Sequence, residues 1–140
     1  MEYIIRSASE SDAAGIKEVS EHLSYSQLSS AESATKLQEL LHSTQDQVFV
    51  AERQGRILGW LHLFYARRLA SGNFFEIGGL VVSPENRGYG VGRALVQYAQ
   101  AKNIGTFRVR CNEKRLDAHK FYESIGFDNS KVQRVFQVRS

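Results

Sequence analysis

A chain of 140 residues with 42% hydrophobic and 24% charged side chains has the composition of one soluble globular domain, large enough to bury a core. Its net charge of +3, from 18 basic and 15 acidic residues with no Lys/Arg run, suits an anionic ligand and gives no argument for nucleic acid. A lone cysteine, Cys111, excludes an internal disulfide and fits a reducing cytoplasm, and no apolar run reaches membrane-spanning length. The opening Met1-Glu2-Tyr3-Ile4-Ile5-Arg6 has no signal-peptide core. A single domain over 1–140 is expected.

Tyr3 to Ser7 is short, apolar and β-prone, and reads as an opening strand. Ser9 with Asp12 resembles a capping box, after which Ala13, Ile16, Val19 and Leu23 fall at helical spacing. A Ser-rich stretch over 24–30 precedes a second helix, capped by Ser29 with Glu32 and apolar at Ala34, Leu37, Leu40 and Leu41. Next come three strands: Gln47 to Glu52, Ile57 to Tyr65 and Phe74 to Val82. The turns Gln54-Gly55 and Ser71-Gly72-Asn73 join them into a β-meander. Gly78-Gly79 lies inside the third strand, where a glycine pair marks a bulge, a close approach or a packing need.

The meander runs into Asn86-Arg87-Gly88-Tyr89-Gly90-Val91-Gly92-Arg93-Ala94-Leu95, a glycine turn that opens a helix to about Lys102. Phe107 to Cys111 then reads as a strand and Leu116 to Ser124 as a short helix ended by Gly126-Phe127. Val132 to Val138 reads as a closing strand. The order β-α-α-β-β-β-α-β-α-β predicts an α/β (α+β) fold: a mixed, mostly antiparallel sheet with helices on both faces.

The glycine turn carries the chemistry. Backbone N–H groups at the positive end of a helix dipole, stripped of side chains at Gly88, Gly90 and Gly92, suit a phosphate or pyrophosphate. A P-loop needs a lysine and a hydroxyl after its last glycine, and here Arg93-Ala94 occupies those positions. A dinucleotide site needs Gly-x-Gly-x-x-Gly after the first strand of a βαβ unit, and here Leu95 fills the third glycine position, behind a meander.

Arg87-x-x-Gly90-x-Gly92 instead resembles the Arg/Gln-x-x-Gly-x-Gly/Ala signature of the GNAT superfamily of acyl-CoA-dependent N-acetyltransferases. The strand exit Val82-Ser83-Pro84-Glu85-Asn86-Arg87-Gly88, the motif Ala118-His119-Lys120-Phe121-Tyr122-Glu123-Ser124-Ile125-Gly126-Phe127 and the element order extend the likeness over essentially the whole chain.

The resemblance implies acetyl-CoA as acyl donor, with no metal. Its pyrophosphate would sit on the backbone of Arg87, Gly88, Tyr89, Gly90, Val91 and Gly92, with Arg93 and Ala94 at the helix start. Leu80, Val81 and Val82 would pair with its pantetheine arm as an added strand would, and a bulge at Gly78-Gly79 would open the slot. Where many members carry an asparagine three residues before the motif alanine, this chain has Arg115, and Asn112 nearby is the substitute candidate for the pantetheine amides.

Acyl transfer to an amine makes three demands. An ammonium titrating near ~10.4 must lose a proton, the oxyanion needs a donor such as a backbone N–H near Leu80 or Val81, and the thiolate must gain a proton. The resemblance makes Tyr122 the acid. It suggests Glu76 as a general base, against which its place at a strand start allows a carboxylate that orients the acceptor or is merely solvated. His119 reads as a capping or surface histidine, and His22, His42 and His62 lack metal-ligand spacing. Cys111 reads as a small core residue, not a nucleophile.

The resemblance implies an acceptor wall over 22–30, 65–68 and 128–131, which mixes Tyr25, Tyr65, Arg67 and Arg68 with few acids. The expected partner is a small-molecule or peptide amine, with no nucleic acid or membrane, and a homodimer is compatible with the chain. Two function classes remain: a competent N-acetyltransferase, favoured by Tyr122 with Glu76, and a non-catalytic acyl-CoA-binding or regulatory domain.

Overall fold

Residues 1–23 and 28–140 are described by a computed structural model. Its middle is the expected meander: β2 (Asp46–Arg53), β3 (Arg56–Ala66) and β4 (Phe74–Val82) pair antiparallel in sequence order. Gln54 (φ 49°) and Gly55 (φ 79°) both adopt left-handed backbone, the twist that a two-residue hairpin requires. β1 (Ile4–Ser7) adds antiparallel to β2, and β5 (Phe107–Val109) adds parallel to β4, giving the order β1-β2-β3-β4-β5. The sheet is mixed and mostly antiparallel, as its sequence pattern predicts.

Period-two alternation gives the sheet two apolar faces, and helices cover both. Val50, Ile57 and Val81 pack with Val19 of α1 (Ala13–Ser20), and the Trp60 indole N–H donates to Ser20 Oγ at 2.8 Å. On the other face Phe49 meets the edge of Tyr98 from α3 (Val91–Lys102), whose Val91, Leu95, Val96 and Ala99 are buried. α2 (Ser30–His42) begins with the reciprocal cap expected from its sequence: Glu32 N–H donates to Ser29 Oγ and Ser29 N–H to Glu32 Oε1, each at 3.1 Å. Asp12 accepts from Ser9 N–H at 2.8 Å, but the turn it closes is a 3-10 turn over Glu10–Asp12, one turn short of the α-helix.

The chain forms two compact units, Met1–Val109 and Arg110–Ser140. The first holds the sheet, α1, α2 and α3. The second holds α4 (Leu116–Ser124), which ends where Gly126 turns left-handed (φ 99°) and Phe127 N–H returns to Tyr122 O at 3.0 Å. The closing strand expected over 132–138 is not formed. Residues 127–140 have no regular structure, and Val132, Val135, Phe136 and Val138 are 69–91% exposed. Alternating β-branched residues favour an extended chain, but a strand exists only where a neighbour supplies backbone partners. None of the described strands does so here.

Candidate active site

The first unit contains a sheet that opens along β4. β3 accompanies β4 through its full length, whereas β5 pairs with it only over Phe75, Glu76 and Ile77. Among the described residues, β4 from Gly78 to Val82 therefore has one edge without a partner strand. The β3–β4 register shifts at the same point. His62 faces Gly79, Leu63 faces Ile77, and Gly78 is the extra residue between them. Both glycines are also sterically required: a Cβ on Gly79 would lie 2.7 Å from Trp60 Cζ3, and one on Gly78 would lie 2.9 Å from His62 Nδ1. Bulge and packing are thus the same feature. Aromatic rings from β3 lie across the glycines while the backbone bends.

β4 delivers the chain to the glycine turn. Ser83 N–H bonds to Leu58 O at 2.8 Å, a 3-10 turn spans Pro84–Asn86, and Gly88 (φ 88°) and Gly90 (φ 75°) take left-handed conformations that a side chain would strain. Ala94 N–H makes the first helical bond, to Gly90 O at 2.9 Å. The N–H groups of Val91, Gly92 and Arg93 therefore belong to the first turn, where the helix offers them no acceptor. Tyr3 donates its hydroxyl to Tyr89 O at 3.2 Å and ties the turn to the chain just ahead of β1. Val91 is 1% exposed and anchors the helix start, while Arg87 and Arg93 stay exposed beside it. Space around Gly88 is open, with nothing within 4 Å of a built Cβ. This cradle fits an anionic group held by main-chain donors. Of the three β4 candidates, Val81 buries its side chain in the core and Leu80 and Val82 are half-buried, so their backbone is what a ligand could pair with.

Past the bulge, Glu76 is 9% exposed, opposite Phe64 on β3 and beside Arg108 on β5. It is not a solvated carboxylate. Next to it the guanidinium of Arg108 lies 3.9 Å from the Phe74 ring centroid, with that of Arg68 at 5.2 Å. Tyr65 belongs to the opposite face of the sheet, in a stack with Phe75 and Phe107, and so leaves the wall to which its position in sequence assigns it. Tyr25 lies outside the described residues.

One pair escaped sequence reasoning. His62 Nε2 lies 2.6 Å from Asp46 Oδ1, with the side chains 22% and 18% exposed. The two lie 16 positions apart in the chain, and only hairpin register could have signalled the contact. A shift between Ala51 and Glu52 brings Val48 opposite His62 and turns Asp46 to the same face. Counting evenly outward from the Gln54-Gly55 turn puts Asp46 on the wrong side.

In the second unit, Tyr122 is half-buried between the ring edges of Phe121 (5.0 Å) and Phe127 (5.5 Å). Burial pushes its phenol well above the usual range, Cys111 adds to the rise and Arg115 opposes it. Tyr122 therefore keeps its proton at neutral pH. Burial likewise raises the Cys111 thiol, which disfavours a nucleophilic thiolate. Asn112 Oδ1 accepts from Lys114 N–H at 2.9 Å, and His119 Nε2 bonds to Asn112 O at 3.0 Å. His119 is thus a turn-closing residue, and among the described residues the Asn112 amide NH2 has no acceptor.

The acetyltransferase (GNAT) domain model matches residues 44–129, the span from β2 through the bulge, glycine turn and α4. The chain belongs to the GNAT acetyltransferase family. It is 30% identical over 95 residues to mycothiol acetyltransferase of Thermobispora bispora, a match covering 64% of this chain and 32% of that protein. It is 35% identical over 86 residues to aminoalkylphosphonate N-acetyltransferase of Salmonella typhimurium, covering 58% of this chain and 56% of that protein. The chain thus spans about a third to a little over half of the curated relatives it matches. The solved aminoglycoside N-acetyltransferase AAC(6')-Iy in complex with CoA shares the fold, with a TM-score of 0.85 at 15% identity over 99% of this chain and 96% of that one.

Proposed function

We propose that the chain is an N-acetyltransferase that moves an acetyl group from acetyl-CoA to a primary amine by direct attack in a ternary complex. One observation carries the reading: β4 loses β5 beyond Ile77, continues to Val82 paired on its β3 side only, and leads through the Pro84–Asn86 turn into left-handed glycines at the start of α3. An extended thioester-bearing arm needs a strand edge, and its pyrophosphate needs main-chain donors a short way on. Both occur here in one continuous segment.

When bound, acetyl-CoA supplies an activated acyl carbon on a thiol leaving group. Leu80, Val81 and Val82 offer it backbone partners, Arg87 to Gly92 cradle the pyrophosphate, and Arg93 and Ala94 complete the helix start. Asn112 keeps an amide donor for the pantetheine. Glu76 places a carboxylate beside the bulge, suited to attracting and orienting an ammonium. Tyr122 holds its proton until thiolate develops and then donates it. The acceptor is a small amine, in keeping with the aminoalkylphosphonate acetylated by one relative.

Incubating the protein with acetyl-CoA and a panel of aminoalkylphosphonates, amino sugars, polyamines and peptide N-termini tests this by free-thiol release. The expected result is release that depends on at least one acceptor. Tight CoA binding by titration calorimetry without acceptor-dependent release from any of them would instead identify a non-catalytic acyl-CoA-binding domain.

A further inference from the structure

We infer that His62, held by Asp46, is the group that takes the proton from the acceptor ammonium. The inference rests on the acetyltransferase reading and adds a residue that neither motif nor resemblance assigned. Three features of the first unit converge on it.

First, the pair is built for one tautomer. With Asp46 Oδ1 at 2.6 Å, Nε2 carries the hydrogen and donates it to the carboxylate, which leaves a lone pair on Nδ1. Second, Nδ1 is aimed at the bulge. It would lie 2.9 Å from a Cβ at Gly78, the extra residue where the β3–β4 register shifts and just past the point where β5 leaves β4. No hydrogen-bond partner occupies Nδ1 among the described residues. Third, the nitrogen can be reached. Gly78 is exposed, and the His62 side chain is 22% exposed while Glu76 as a residue is only 9% exposed. Phe64 packs on the imidazole at 5.8 Å between centroids and restricts its rotation. A carboxylate on one ring nitrogen, a ring wall on one side and a glycine under the other nitrogen form a general-base arrangement.

The proton balance is complete. Nδ1 takes one proton from R–NH3+, giving a neutral amine and an imidazolium stabilised by Asp46. The amine nitrogen bonds to the acetyl carbon, and the C–S bond breaks with its electron pair going to sulfur. Tyr122 gives its hydroxyl proton to that sulfur, and the excess proton on nitrogen restores the phenol, leaving amide and thiol. The imidazolium then releases its proton to water.

The test has a structural and a kinetic arm. Long-range 1H–15N correlation of the imidazole rings in the unliganded protein, recorded for the neutral ring, is expected to show His62 with hydrogen on Nε2 and none on Nδ1. Asp46→Asn should weaken that preference. A bare Nε2 with hydrogen on Nδ1 overturns the proposal whatever the activity. In the kinetic arm, His62→Gln is expected to keep CoA affinity and lower kcat about 100-fold for an alkyl amine. The loss should nearly vanish for O-methylhydroxylamine, whose amine is already neutral at pH 7, and added imidazole should partly restore His62→Ala. Equal loss with both acceptors, or wild-type rates in His62→Gln, overturns the role while leaving the acetyltransferase reading in place. If the wild type releases no thiol with any amine, the reading itself fails and the role fails with it.

Discussion

Arg6 joins two carboxylates and so links β1 both to the turn ahead of α1 and to β2. Its guanidinium grips Asp12 in a bidentate pair at 2.7 and 2.8 Å and reaches Glu52 at 2.6 Å. The Arg6 hydrogen bonds hold the Asp12 carboxyl below its ordinary 3.8, against the opposing effect of burial. A lowered native value means that the unfolded chain binds more protons below about pH 4, so this contribution is present above that pH and is lost as pH falls through the native value. Asp12→Asn should therefore flatten the acid limb of the stability curve and cost about 2 kcal/mol at pH 7, measured by denaturant unfolding across pH. At the same scale, Tyr122→Phe keeps the ring contacts with Phe121 and Phe127 but removes the proton. It should lower kcat about 100-fold while leaving CoA affinity within twofold by calorimetry; an unchanged kcat removes Tyr122 as the acid. The type of residue was legible in the sequence here. Its environment was not, because the reach of Arg6 to Glu52 joins residues 46 positions apart and is set by strand pairing.

At the level of elements, the glycine turn and the bulge were both visible as glycine spacing, for a definite reason. Left-handed φ values at Gly88 and Gly90 would strain a side chain, and the Trp60 ring leaves no room for one at Gly79. Gly90→Asp places a negative side chain on the N-terminus of α3, in strained backbone, and should weaken CoA binding at least 100-fold; unchanged calorimetry would remove the turn from the site. Gly79→Ala tests the bulge. Its methyl would meet Trp60 Cζ3 at 2.7 Å while the indole is tethered to Ser20, so unfolding should cost about 2 kcal/mol less. Helix caps were equally legible, since Ser29 and Glu32 act within one turn. Strand ends drifted by a residue or two, because pairing with a neighbour sets them and composition does not.

On the scale of the whole molecule, the chain divides its stability unevenly. Among the described residues, the unit over Met1–Val109 contains all the buried ones, whereas residues 128–140 are exposed throughout. Brief trypsin treatment should therefore cut after Lys131 and Arg134 before any site in the first unit, as read by mass spectrometry. Initial cleavage within the sheet would contradict that order. The expected strand over 132–138 shows the limit of pattern reading. Val132, Val135, Phe136 and Val138 have strand propensity, but propensity does not supply a partner.

Glycine spacing, apolar period and local caps determined the meander, the left-handed glycine turn and the family, because each of these acts over a few residues of chain. Register was decided only by the tertiary structure. One extra residue at the Ala51/Glu52 shift turns Asp46 onto the face of His62, and another at Gly78 leaves that imidazole over open backbone. In a structure of period two, a slip of a single residue exchanges the faces, and no local pattern records whether it has occurred.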